Sequence, residues 1–446
     1  MDFWPDIPTS DESLQYYFND FDEDFFHETF NDIWENCVVE SIKSIYNSLS
    51  ITIYINLGFG LATSLGLPEN IFHWLSALCG FYILIVTLQS AKGLAVIFIS
   101  YLTIYVIIFV INTFHKRLKE NKLKEYDRRN KYFHFVENSS IAQYSLIIFF
   151  VLFEYILLEK ETWLEIRGIM MVFSMKLISI ITDIDLQNFP SFSQYCGYMF
   201  SGSNILFGPW ITYDYYLFLI KYPTKKNIYW LLGIVRALFL ALFFLTVSNC
   251  WTSYFIPDDS NKLLLGYKEA LSFRTSHYFI CYLSEALMLA AGWKEKDHHF
   301  DEQYWKLSVT NPLNIELPSA LSIVVINWNK PMHYFFKKYI YRKWLPLGKF
   351  YAIFLTFLIS SLFHGFEIKI SLVLLSLGIF SYLQILVREQ VSQTFNICVK
   401  VYPLLHLIFL GVLMDESTNE IGIYTKWSNL YFFSLWIMFI NFLIVK

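Results

Sequence analysis

GLAVIFISYLTIYVIIFVI, residues 93–111, is an uncharged apolar run whose length decides the fold class. The hydrocarbon core of a bilayer is about 30 Å thick and takes roughly 20 apolar residues of helix to cross. The run supplies that span, so the chain passes through a membrane. The rest of the sequence agrees, because 55% hydrophobic and only 16% charged residues lie far outside the profile of a soluble domain. Further apolar segments occupy 49–67, 70–88, 141–158, 164–182, 196–220, 229–249, 277–293, 318–328, 350–366, 368–387, 400–414 and 428–445. Several are short or carry a charge, so the expectation is about 9–11 crossings, with the remainder as re-entrant or broken helices around an internal tunnel. The runs are continuous and do not alternate, which disfavours a β-barrel. The expected fold is therefore an all-α polytopic transmembrane bundle.

The net charge of −4 conceals an asymmetry. Residues 1–40 hold twelve Asp or Glu and no Lys or Arg, which excludes a secretory signal peptide and a mitochondrial presequence. An acidic N-terminal arm over 1–45 is expected, either a flexible terminus or, given Phe18, Phe21, Phe25, Phe26 and Phe30, a short interfacial helix. Directly after the first decisive span, Lys116 to Lys131 carries eight basic residues against three acids. The positive-inside rule assigns that run to the cytosol, and three crossings before it put the N-terminus on the lumenal side.

Cys37, Cys79, Cys196, Cys250, Cys281 and Cys398 are scattered, so neither a disulfide framework nor a metal site is expected. No glycine-rich phosphate loop and no GxSxG elbow is present. Ionisable groups inside apolar segments are costly and mark candidate sites. They are Glu154, Lys176, Asp183, Arg236, Glu285, His364 and His406. Glu154, Lys176 and Arg236 are read as pairing with one another or reaching an interface. His406 sits in the apolar run LLHLIFL, whereas His364 sits in ISSLFHGFEIK, with serines before it and Gly365 after it to allow close approach. His364 is the better candidate base, against the alternative of a buried, hydrogen-bonded histidine.

Asn327-Trp328-Asn329-Lys330-Pro331-Met332 precedes it, and Pro331 makes an uninterrupted helix there unlikely. The asparagines then sit at an element end, where they either point into a cavity or cap a helix. Lys330, Lys337, Lys338, Arg342 and Lys343 form a basic stripe, suited to membrane anchoring or to attracting phosphates.

WNKPM at 328–332 and FHGF at 363–366, joined by a basic, aromatic connection, resemble the Asn and His signature of the membrane-bound O-acyltransferases. RGIMMVFSMKLISIITDIDL at 167–186, FGPW at 207–210, SHYFICYLSEA at 276–286, KEKDH at 294–298, NPLNIELPSALSIVVINWNKPM at 311–332 and HGFEIKISLVLLSLGIFSYLQ at 364–384 are similar to one branch of that family, in the family's order. The resemblance covers roughly 160–390, and the polytopic membrane O-acyltransferase domain is expected over 46–446. It implies transfer of a palmitoleoyl group from palmitoleoyl-CoA to a serine of a Wnt protein at the endoplasmic reticulum membrane. It implies His364 and Asn329 as the catalytic pair, the first as base and the second as oxyanion donor or orienting group. Acyl-CoA is a co-substrate, and no cofactor and no metal are expected. The alternatives are a lysophospholipid or sterol acyltransferase of the same superfamily, and a membrane transporter.

Overall fold

The computed structural model describes residues 29–122, 159–183, 189–294, 307–365, 367–390, 396–414 and 422–445. Among the described residues every regular element is helical and no strand occurs. Three helices joined by short turns come first: α1 (Glu40–Thr63), α2 (Glu69–Thr87) and α3 (Ala91–Lys122), the last containing the decisive run. α4 (Lys160–Asp183) buries most of its middle. Glu154, the segment at 141–158, the arm up to 28 and the basic run from 123 onward lie outside the described residues.

The segment 196–220, read as one candidate crossing, is instead two short helices, α5 (Phe192–Met199) and α6 (Tyr213–Lys221), with an irregular turn between them. Lys176 of α4 explains why that break is tolerated. Its ammonium donates to the carbonyls of Tyr198 and Met199 at 2.9 and 3.0 Å and to Oδ1 of Asn204 at 2.8 Å. Carbonyls at a helix end have no partner of their own, and at membrane depth they need one. The expected pairing of Lys176 with another charge is thus replaced by backbone capping. α2 comes so close to this turn that a Cβ at Gly80 would lie 1.7 Å from the carbonyl oxygen of Phe200, so only glycine fits there.

α7 (Ile228–Thr246) shows how such helices sort their faces. Leu231, Leu232, Val235, Phe239 and Phe243 are exposed, while Ile234, Ala237, Ala241 and Leu245 are buried. Both faces are apolar, and Ala237 and Ala241 on the buried face let the neighbouring helix approach closely. That neighbour is α8 (Lys262–Ala290), and Arg236 of α7 pairs with Glu285 of α8 at 3.0 Å. The C-terminal half adds α9 (Leu321–Trp328), α10 (Lys330–Phe336), α11 (Lys349–Phe363), α12 (Ile368–Gln390), α13 (Asn396–Gly411) and α14 (Phe433–Val445).

Among the described residues, Glu69–Thr87, Ile228–Phe255 and Ile368–Arg388 are long and apolar enough to cross a membrane, and four further apolar helices are shorter. The expectation of about 9–11 crossings exceeds the unbroken helices because polar residues and breaks divide several segments.

The cysteines require a correction. Cys37 and Cys250 form a disulfide, with Cα atoms 5.9 Å apart and 213 positions of sequence between them. Cysteine spacing carries no signal when the partners sit on different helices that meet only in the fold. Cys37 lies in a π-helical turn, Trp34–Val39, that leads directly into α1, and Cys250 lies just beyond α7. The boundary expected at residue 45 therefore falls inside a helix. Phe30, Trp34 and Trp251 stack beside the disulfide, so Phe30, expected in the arm, packs against the bundle.

Candidate active site at a broken helix

The break lies at Asn329. α9 stops at Trp328, Asn329 is extended (φ −145°, ψ 92°), and α10 begins at Lys330 with Pro331 in its first turn. Proline has no N–H to donate, so it suits the first turn of a new helix and not the interior of a continuing one. Oδ1 of Asn329 accepts the Met332 N–H at 3.1 Å and caps α10. The cap consumes only the amide oxygen. Among the described residues Nδ2 of Asn329 makes no hydrogen bond, and the residue keeps some accessible surface.

Asn327 behaves differently. Its Nδ2 donates to the Ile323 carbonyl at 2.8 Å, and its own carbonyl accepts from the Asn311 N–H at 3.1 Å and from Thr310 Oγ1 at 3.0 Å. With Lys330 N–H donating to Val309 at 2.8 Å, residues 309–311 hold the chain on both sides of the break. Asn327 is structural, and Asn329 has a free donor.

His364 sits at the end of α11, where Gly365 takes φ 88°, a turn that an L side chain resists. Ser361, expected to bond locally, spends its hydroxyl on the Leu358 carbonyl at 2.8 Å. The imidazole of His364 makes no hydrogen bond with any described residue, and it keeps accessible surface although protein surrounds it.

Aromatic packing fixes the two halves of the site relative to each other: Phe363, beside His364, lies 5.8 Å from Phe336 and 6.3 Å from Phe335 of α10. Trp210, from the FGPW turn, packs on Phe335 at 5.2 Å and on Tyr339 at 5.7 Å. Arg167 of α4 reaches Glu367 at 3.5 Å and braces the turn.

Sequence reasoning missed His277 of α8. Its ring lies parallel to the indole of Trp328 at 4.2 Å, its Nε2 is 3.0 Å from the Trp328 carbonyl oxygen, and it is within electrostatic reach of His364. The quoted stretch SHYFICYLSEA contains it, but a histidine near a serine on a long helix gives no sign of what it faces.

Comparison with known proteins matches the profile of the membrane-bound O-acyltransferase family to residues 81–414. The chain belongs to the membrane-bound O-acyltransferase family. It is 28% identical to the mouse protein-serine O-palmitoleoyltransferase porcupine, over 92% of this chain and 96% of that protein. The human protein of that name is also 28% identical, with the same coverage. The Anopheles gambiae protein of that name is 32% identical over 62% of this chain and 68% of its own length.

Other polar groups of this membrane-bound O-acyltransferase are committed elsewhere. His406 is 3% exposed, with Nδ1 bonded to Ser434 Oγ and its ring 4.7 Å from Phe380. Arg274, 2% exposed, meets Glu316 through Nε and Nη2 at 2.8 and 2.9 Å, and Tyr278 donates to the same carboxylate at 2.7 Å. The basic stripe is divided: Lys330 donates to Ser308 at 3.1 Å, Lys338 pairs with Asp183 at 2.8 Å, and Lys337 and Arg342 are exposed.

Proposed function

We propose that the chain transfers a palmitoleoyl group from palmitoleoyl-CoA to a serine hydroxyl of a Wnt protein at the endoplasmic reticulum membrane. One observation carries the site assignment: His364 has an imidazole with no described hydrogen bond, in a turn braced against the helix whose cap leaves the Asn329 amide N–H free. The similarity to protein-serine O-palmitoleoyltransferases supports a serine acceptor and a palmitoleoyl donor.

His364 takes the proton from the acceptor serine as its oxygen attacks the thioester carbonyl, a task open to a neutral imidazole with an unused ring nitrogen. The carbonyl becomes a tetrahedral oxyanion, and Nδ2–H of Asn329 donates to it; one such donor is worth about 3 kcal/mol in a site shielded from water. The carbon–sulfur bond then breaks, and CoA leaves as the thiol with the proton held by His364. Coenzyme A is consumed as a co-substrate.

The disulfide supports a lumenal acceptor. Disulfides persist in oxidising compartments, so the Cys37–Cys250 end of the bundle faces the lumen. α1 runs from that end and α2 returns to it. Glu165 of α4 accepts the N–H groups of Gln89 and Ser90 just beyond α2, and Arg167 meets Glu367, three positions after His364. The far end of α4 carries Asp183, which pairs with Lys338 of the basic stripe. The acceptor then reaches His364 from the lumen, and the anionic CoA head approaches from the basic, cytosolic side.

The test is purified protein with labelled palmitoleoyl-CoA and a folded Wnt hairpin peptide, with a Ser→Ala peptide and a lysophospholipid as alternative acceptors. Labelling of the serine peptide alone is expected. Labelling of the lysophospholipid in its place overturns the reading.

A further inference from the structure

His277 does more to the break at Asn329 than fill space. The Trp328 carbonyl, at the end of α9, loses its helical partner because Asn329 is extended and the Met332 N–H is spent on the Asn329 side chain. A carbonyl stranded in this way inside a membrane protein is costly unless a donor meets it. Nε2 of His277 meets it at 3.0 Å. That bond makes Nε2 the protonated nitrogen, and Cys281, one turn along α8, sets its sulfur 3.3 Å from the same nitrogen as a second, weak acceptor. The ring is held flat on Trp328, with an interplanar angle of 5°, and Phe273 stacks on that indole at 6.1 Å.

The residue that follows this carbonyl is Asn329, and its amide plane is already tied by its oxygen to the N-terminus of α10. The direction of the free Nδ2–H is therefore set by the position of the peptide between Trp328 and Asn329, which His277 holds by hydrogen bond and by stacking. We propose that His277 is a positioning residue for acyl transfer, which keeps the amide of Asn329 aimed at the carbonyl that reacts beside His364. The inference rests on the acyl-transfer reading given above.

The experiment compares His277→Phe, which keeps an aromatic stack and removes the donor, with His277→Gln, which keeps an N–H of similar reach. Each is purified in detergent and assayed for kcat and KM with palmitoleoyl-CoA and the Wnt peptide, both alone and in an Asn329→Ala background. His277→Phe is expected to lower kcat about 10-fold or more with KM values within about threefold, because the misaligned donor acts in the transition state. His277→Gln is expected to recover part of the loss. In the Asn329→Ala background the His277 substitution is expected to cost under about threefold, since the group it positions is gone.

An equal loss in both backgrounds overturns the inference and leaves the acyl-transfer reading intact, as does an unchanged kcat in His277→Phe. Full activity of Asn329→Ala overturns the role of Asn329 itself, and the positioning role with it. If His277→Phe does not fold, His277→Leu in the two backgrounds provides the same comparison.

Discussion

The amide oxygen of Asn329 caps α10, and its nitrogen, which makes no hydrogen bond among the described residues, is the group to which the proposed donor role falls. Substitution by alanine confounds them, so serine is the informative change: it caps a helix as well as asparagine does but is too short to present the donor. Asn329→Ser should keep thermal stability near the native value while activity falls about 10²-fold; Asn329→Ala should lose similar activity and also about 1 kcal/mol of stability. Thermal unfolding in detergent alongside acyl transfer distinguishes the two. Equal stability loss in both variants would refute the division. The histidines divide in the same way. His364→Ala should lower activity by at least about 10³-fold in a folded protein, because a proton acceptor is removed and no described hydrogen bond is. His406→Ala should keep most activity per folded molecule but cost about 1–3 kcal/mol, because Ser434 loses its partner and Phe380 its neighbour. An inactive, stable His406→Ala protein would reverse the assignment.

Between α8 and the short helix Pro312–Glu316, the Arg274–Glu316–Tyr278 cluster ties the segment that precedes the broken helix to the long helix bearing His277. Removing one partner of a buried ion pair leaves an uncompensated charge, so Arg274→Leu should destabilise by on the order of 3 kcal/mol. Arg274→Leu combined with Glu316→Leu should recover part of that loss. Detergent-solubilised yield and melting temperature report both, and a double variant no better than the single one would show that the cluster is not a coupled pair. The sequence made this pair hard to see, because 42 residues separate its members and Arg274 stands among polar neighbours that look solvated.

At the scale of the whole molecule, orientation and donor choice are testable together. A tag between 119 and 125 should be reached from the cytosol and an N-terminal tag only after the inner side is opened, with Cys37 and Cys250 resisting alkylation until reduced. Both tags on one side would overturn the orientation. A tunnel shaped for a chain bent by a cis double bond holds a straight chain poorly, and each methylene left unburied forfeits about 0.8 kcal/mol. On the proposed palmitoleoyl transfer, palmitoleoyl-CoA should outcompete palmitoyl-CoA by at least about 10-fold, on the order of 1.4 kcal/mol. Preference for the straight donor would remove the palmitoleoyl specificity and leave the acyl-transfer chemistry standing.

The amino-acid sequence by itself determined the class: uncharged runs such as 93–111 have no stable place but a bilayer, and Pro331 imposes a break wherever the chain around it folds. It also set His364 apart from His406 by their neighbours, as the candidate base that the proposed mechanism uses. Tertiary structure alone decided which polar groups were already spent. Lys176 caps carbonyls from another helix, Ser361 bonds within its own helix, Cys37 finds Cys250, and His277 meets a carbonyl 51 positions away. Each of those facts depends on side chains brought together from distant segments, and a one-dimensional pattern records spacing along a helix but not which helix lies opposite.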